Sequence, residues 1–198
     1  MHQIFSSLFQ VLNFQVLIFS ALLFFMGYAL APTAYYKKIK WLTAYPFFII
    51  RLMDRYLKQD WPPMIIFLVI FFLNTTSLTI NLLSGWGIIL PYLFIIYMGI
   101  NIGVVMYHTL EGHFYYLSLF NPVALLELPA AWLSITMAIQ FSLKNFFQVE
   151  FLKEVTFPHY FELFLVTVIP LLFLAAIIET FLIVVARRKG NEENKHQD

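Results

Sequence analysis

The chain contains no cysteine among its 198 residues and few charged side chains, which make up 12% of the sequence. Without cysteine, disulfide bridges, thiolate zinc sites and thiol nucleophiles are excluded. The formal net charge of +1 gives no electrostatic reason to expect a nucleic-acid partner. Glycine-rich phosphate loops and nucleophile elbows are also missing, so the sequence predicts a protein that is not an enzyme and carries no cofactor.

Apolar residues dominate instead, because 61% of the chain is hydrophobic and 19% is aromatic. A soluble fold of this size could not bury that much apolar surface. Five runs are long enough to cross a bilayer at about 20 residues each, at roughly 11–31, 62–83, 86–106, 121–142 and 161–186. The sequence therefore predicts an all-α, polytopic membrane protein with five transmembrane helices.

The stretch between the first two runs, "WLTAYPFFIIRLMDRYLKQDW", has a different pattern. Arg51, Asp54 and Arg55 recur at helical spacing among apolar residues. This pattern predicts an amphipathic helix over about residues 40–60 that lies in the membrane interface. Its charged face is either simply solvated or binds anionic lipid, and both interpretations stay open.

Basic residues flank the predicted spans unevenly. Five spans place most of them on one side of the membrane: Lys37, Lys38, Lys40, Arg51, Arg55, Lys58, Arg187, Arg188, Lys189 and Lys195. Lys144 and Lys153 fall on the other side. The positive-inside rule then predicts a multi-pass protein of the cell membrane with its N-terminus outside and its C-terminus in the cytoplasm. Residues 1–186 are expected to form one transmembrane domain, and residues 187–198 a charged cytoplasmic tail.

Two glutamates within the spans, Glu127 and Glu179, are expected to form one polar site. At 1.5 Å per residue, Glu127 lies about 9 Å along the fourth span and Glu179 about 12 Å before Arg187, so both should lie in the cytoplasmic half. Small residues share their helix faces, which indicates that both carboxyls face protein. These small residues are Ala130, Ala131 and Ser134 beside Glu127, and Ala175 and Ala176 beside Glu179.

The surroundings of this site offer little to neutralise a carboxylate. No Lys or Arg occurs between Lys58 and Lys144, and a buried carboxyl without a cation favours its protonated form. Asn101 and Asn74, on the third and second spans, are expected to complete the site, and Pro129 frees a backbone carbonyl in its own helix. Three roles stay open: hydrogen bonding between helices, handling of protons or cations, and holding a partner subunit.

Two further features concern helix packing. Gly99 and Gly103 form a small-xxx-small pair on the third span, which predicts a close approach to another helix. Pro91 and Pro170 are expected to kink the third and fifth spans.

The segment "HTLEGH" holds the best candidates for a metal site, which are His108, Glu111 and His113. It lacks the HExxH spacing that places two histidines on one helical face, so no metal is predicted there. The same group is also the nearest approach to an intramembrane hydrolase, which ranks below the other hypotheses.

Several short segments, in order, resemble the stage II sporulation protein M family of bacterial and archaeal polytopic membrane proteins. "FFLNTTSLTINLLSGWGIILPYLFIIYMGINIG" resembles the family's asparagine-bearing and glycine-bearing helices, "NPVALLELPAAW" its Glu-Leu-Pro-Ala segment, and "LAAIIETFL" its Ala-Ala-x-x-Glu span. The resemblance covers residues 62–186 and includes Asn74, Gly99, Gly103, Pro122, Glu127, Leu128, Pro129, Ala130, Ala175, Ala176 and Glu179. Departures from the family pattern occur at Thr75, Met98, Val123 and Ala124.

The resemblance implies a function only in outline. In spore-forming bacteria the family member is an integral partner in a complex that recruits peptidoglycan-degrading enzymes during engulfment, and it is not itself an enzyme. This chain is therefore expected to be a non-enzymatic membrane subunit that scaffolds or recruits other membrane or membrane-associated proteins, with a homo-oligomer as an open alternative. The competing hypothesis is a permease-like transporter, or transporter subunit, that takes up protons or cations at Glu127 and Glu179.

Overall fold

The computed structural model describes residues 11–58, 61–152 and 155–195, and their side chains except at 56–58 and 189–195. In these ranges the chain is mainly helical and has no strands, and the α-helices are α1 (Phe14–Tyr36), α2 (Lys40–Lys58), α3 (Pro63–Leu83), α4 (Leu90–Thr109), α5 (Ala124–Phe147), α6 (Phe157–Leu163) and α7 (Ile169–Lys195). Five segments are long and apolar enough to cross a membrane, namely Phe14–Tyr36, Pro63–Trp86, Leu90–Thr109, Ala124–Phe147 and Phe157–Arg188. The predicted all-α architecture with five spans is thereby confirmed for the described ranges.

The first span is displaced towards the C-terminus from the apolar run that predicts it. Asn13 caps α1, because its side-chain oxygen accepts hydrogen bonds from the backbone N–H groups of Gln15 (2.9 Å) and Val16 (3.3 Å). The helix then continues to Tyr36, beyond the predicted end near residue 31. Pro32 lies inside α1 and removes one helical hydrogen bond without ending the helix.

The two prolines that were expected to kink their spans behave differently. Pro91 lies in the first turn of α4, where its missing N–H costs no helical bond, so it starts the helix instead of kinking it. Pro170 lies at the start of α7 and directly follows a π-helical turn, Phe164–Val168. Because Pro170 cannot donate to the carbonyl four residues earlier, a local change in helical hydrogen bonding at this point is expected.

Helix α5 is the centre of the bundle, since it packs on α1, α3 and α7. Polar side chains on α5 bind the backbone of its neighbours. The Ser134 hydroxyl donates to the carbonyl of Leu78 on α3 at 2.7 Å. The Gln140 side chain accepts from the N–H of Asn13 at 3.1 Å and donates to the carbonyl of Val11 at 3.0 Å. These bonds fix the start of α1 and the middle of α3 to one helix.

Helices α1 and α4 form the most extensive helix pair and approach backbone to backbone. A Cβ atom added at Gly27 would lie 2.1 Å from the carbonyl oxygen of Ile96, and one at Gly99 would lie 2.2 Å from that of Phe24. Gly103 faces the same helix. A side chain at these positions would therefore force the helices apart, as expected for small residues at a membrane helix interface.

The two ends of the bundle differ in chemistry. At one end the rings of Trp86, Phe141 and Phe157 cluster with centroids 4.9 to 5.4 Å apart. At the other end the Arg187 guanidinium donates to the carbonyl of Trp61 at 3.0 Å, which ties the end of α7 to the start of α3. The connections of the helices place Lys37, Lys38, Lys40, Arg51, Arg55, Arg187 and Arg188 at this second end, called the basic end below.

The amphipathic helix α2 connects α1 to α3 at the basic end and contacts α4. Thr43 and Ile50 are buried against the bundle, whereas Trp41 is 74% exposed and Phe48 is 52% exposed. Residues 59–60, the last two of the predicted interfacial helix, lie outside the described residues.

The predicted division into a membrane domain and a charged tail is not tested by the helix boundaries, because α7 continues without a break to Lys195. The side chains of Lys58, Lys189 and Lys195, all of Lys153, and residues 196–198 lie outside the description. The boundary at residue 187 therefore stays a prediction.

Candidate functional site

Glu127 lies in the first turn of α5, close to the basic end of the bundle. Asn121 precedes this turn, and its side-chain oxygen accepts from the N–H of Ala124 at 2.8 Å. The positive end of the α5 dipole therefore faces the region of the glutamate carboxyl, which is a favourable place for negative charge. Glu127 is only partly buried as a whole residue.

The Glu127 carboxyl has one hydrogen-bond donor from a neighbouring helix. The side-chain amide of Asn74 on α3 donates to its Oε1 atom at 2.5 Å. Glu179 on α7 brings a second carboxyl close enough to interact electrostatically with the first. Three helices therefore each contribute one polar group to the same place. Among the residues described, neither carboxyl takes part in an ion pair.

Two threonines adjoin this group along the chain. Thr75 follows Asn74 on α3, and Thr180 follows Glu179 on α7. The side-chain oxygen of each threonine is buried and has no hydrogen-bond partner within the described part of the chain. Since buried hydroxyls normally have a partner, these two oxygens on α3 and α7 are unsatisfied polar atoms.

Asn101, the fourth residue predicted for the polar site, forms no hydrogen bond with the other three among the described residues. It is buried on α4, and its amide donates to the carbonyl of Tyr97 in the same helix at 2.8 Å. Its side-chain oxygen has no partner among the described residues. The structure therefore brings together Asn74, Glu127 and Glu179, and gives Asn101 a contact within its own helix.

The residues predicted for helix packing divide between two interfaces. The small residues that neighbour the carboxyls in sequence are buried, namely Ala130, Ala131, Ser134, Ala175 and Ala176. Pro129 is only partly buried within α5. Gly99 and Gly103 instead pack on α1, away from the glutamates. The glycines and the carboxyls therefore serve different helix pairs.

The candidate metal ligands do not come together. His108 lies at the end of α4, where its Nδ1 atom is 3.0 Å from the Tyr35 hydroxyl. Glu111 has a φ of 51°, in the tight turn that follows the helix, and His113 is exposed beyond it. In the part of the chain that the structure describes, no group of three or more potential ligands could hold a metal ion.

Sequence reasoning missed two residues that organise the bundle. Gln140 is 1% exposed and binds the start of α1 through both ends of its amide, although it is as conspicuous in an apolar span as Asn74. Gly27 lies four residues before Ala31 in α1, and this small-xxx-small spacing was the available signal for the close contact with α4.

These observations define a class of protein: a multi-pass helical membrane protein with a carboxyl-containing polar site between three of its helices. A family model for stage II sporulation protein M matches residues 15–182, and the chain therefore belongs to the stage II sporulation protein M family. The match begins well before residue 62, where the sequence motifs first become visible, and it includes α1 and α2. No curated protein and no solved structure matches the chain significantly.

Proposed function

We propose that this protein is a non-enzymatic membrane subunit that holds or recruits partner proteins, as its family suggests. The observation that carries the proposal is the state of the polar site. Glu127 is hydrogen-bonded by Asn74 from the next helix, and neither glutamate lines either of the two cavities described at the protein surface. A carboxyl whose hydrogen bond joins two helices supports a structural role in the bundle.

The proposal includes an orientation. We place the basic end in the cytoplasm of a cell, because the described basic residues of the connections gather there. Partner proteins would then meet the exposed charged face of α2, where Arg51 and Arg55 are exposed. The charged continuation of α7 offers a second surface on the same side.

The first test is purification of the tagged protein from its native membrane in a mild detergent, with an unrelated membrane protein as control. Mass spectrometry should identify a stoichiometric partner. Replacing Arg51 and Arg55 together by Gln should weaken its retention, whereas Lys144→Gln, which removes a positive charge at the opposite end, should retain it. A chain that purifies alone or only with itself would contradict the recruitment function.

A second function, uptake of protons or cations at Glu127 and Glu179, is favoured by a different observation. The unpartnered oxygens of Thr75 and Thr180, which follow Asn74 on α3 and Glu179 on α7, could bind a small ion or water. Under this hypothesis, Glu127→Gln and Glu179→Gln should leave a folded protein whose flux in liposomes is abolished. Under the structural role both variants should stay folded and keep the partner, because an amide can replace the hydrogen-bonding carboxyl.

A further inference from the structure

A cavity of about 570 Å³ opens at the basic end of the bundle. The C-terminal ends of α1 and α4 and one side of α2 form its walls. Three of the lining residues are tyrosines, Tyr35, Tyr36 and Tyr107, and two are acidic, Asp54 and Glu111. Its volume lies within the range of about 300 to 1,000 Å³ that is typical of small-molecule sites.

Hydrogen bonds hold the aromatic wall of this cavity in place. The hydroxyls of Tyr36 and Tyr107 are 2.7 Å apart, and the Tyr35 hydroxyl is 3.0 Å from His108 Nδ1. The ring centroids of the three tyrosines lie 5.4 to 5.9 Å from one another. The wall is therefore a connected cluster contributed by two helices.

The electrostatics of the cavity favour a cation. Its lining includes the carboxylates of Asp54 and Glu111 but neither Lys nor Arg. Neither carboxylate forms an ion pair with any residue described in the structure. In addition, α1 ends at Tyr36 and α4 at Thr109, so the negative ends of two helix dipoles point towards this region. Lys37 is next in sequence to Tyr36 but does not line the cavity.

We propose that this cavity binds an organic ammonium group. Aromatic rings attract ammonium ions through their π faces, and the carboxylates of Asp54 and Glu111 add negative charge to the lining of the same cavity. A bare metal ion fits less well, because the described residues hold no cluster of three metal ligands. The ammonium group belongs either to a lipid headgroup or to a soluble amine. Lipid is one source because the cavity adjoins the amphipathic helix α2, in which Trp41 is 74% exposed.

Binding of choline to the whole protein tests this proposal in nanodiscs made only of an uncharged glycolipid, whose surface does not itself attract cations. The comparison compound is the neutral isostere of choline, in which carbon replaces the ammonium nitrogen. Choline should bind saturably, and the isostere at least about tenfold more weakly. This comparison uses the unmodified chain, so it does not depend on the folding of any variant. Equal binding of both compounds, or no binding of choline, would overturn the proposal.

Substitutions then connect the binding to the cavity. Asp54→Asn combined with Glu111→Gln should weaken choline binding at least about tenfold. Tyr36→Leu should weaken it about 2- to 30-fold, whereas Tyr36→Phe, which keeps the ring, should stay within about twofold. Glu162→Gln removes an exposed carboxylate on α6 and should leave choline binding unchanged. Unchanged binding in the Asp54 and Glu111 double variant would refute the assignment to this cavity.

The lipid composition of the nanodiscs distinguishes the two possible sources of the ammonium group. If the natural ligand is a lipid headgroup, replacing the uncharged glycolipid by phosphatidylcholine, which also has no net charge, should weaken the apparent affinity for choline by competition. If it is a soluble amine, the affinity should be the same in both lipids. Either result supports the ammonium site, and the two results assign its ligand to the membrane or to the aqueous phase.

Discussion

The bond between Asn74 and Glu127 can be measured directly by a double-mutant cycle. The amide nitrogen of Asn74 on α3 and the Oε1 atom of Glu127 on α5 are 2.5 Å apart, so the bond joins two different spans. Hydrogen bonds between membrane helices contribute about 0.6 kcal/mol on average and up to about 1.7 kcal/mol. Asn74→Ala and Glu127→Ala should therefore show a coupling energy in that range, which corresponds to about a 3- to 20-fold change in the unfolding equilibrium.

The assay is reversible unfolding of the four proteins in mixed micelles, followed by loss of helicity. A matched control uses Asn101→Ala in place of Asn74→Ala, because Asn101 is also a buried asparagine but binds the backbone of its own helix. The Asn101 and Glu127 pair should be additive within about 0.3 to 0.5 kcal/mol. Equal coupling in both cycles, or none in either, would refute the claim that Asn74 specifically binds the glutamate.

Three other predictions follow from the packing. Gly27→Ala should lower the free energy of unfolding by about 1 to 3 kcal/mol because its Cβ would overlap a backbone carbonyl of α4, whereas Thr76→Ala, at an exposed position, should change it by less than about 0.5 kcal/mol. Gln140→Leu should lower the free energy of unfolding by about 1 to 3 kcal/mol, since it leaves two backbone groups at the start of α1 without their partner. It should also increase amide hydrogen exchange there, and unchanged exchange would contradict this. In the proposed orientation, a membrane-impermeant thiol reagent should label Glu150→Cys in intact cells and His113→Cys only after permeabilisation, and the reverse pattern would refute that orientation.

The hydropathy of this chain was sufficient to predict its five membrane-spanning segments because each span must satisfy its own backbone in lipid. The helix ends were less predictable, since they depend on local groups that hydropathy does not report. Asn13 moves the start of α1 by capping it, and Pro91 marks the beginning of a helix where a kink was expected.

In the polar site, the sequence of a single helix predicts the depth of a side chain, but its hydrogen-bond partner depends on the neighbouring helices. Helical rise alone predicted that Glu127 and Glu179 share one depth, and the helices that carry them, α5 and α7, pack on each other. Helical periodicity also places Asn101 on a different face of α4 from Gly99 and Gly103, but it does not select which helix each face meets. Only the packed bundle assigns Asn74 to the glutamate and leaves Asn101 bonded to Tyr97.

Because lipid is as apolar as a leucine side chain, burial of apolar surface gives these helices little reason to prefer one another over the membrane. Their arrangement must come from close backbone contact and from polar bonds. The glycines join α1 to α4, while Asn74 and the two carboxyls join α3, α5 and α7. Helix α5 belongs to both halves, through Gln140 at its C-terminal part and Glu127 at its first turn, and the Asn81 amide on α3 also donates to Met98 Sδ on α4 at 3.5 Å. A change at the polar site therefore reaches the α1–α4 pair by two routes, through α5 and through the contact between α3 and α4.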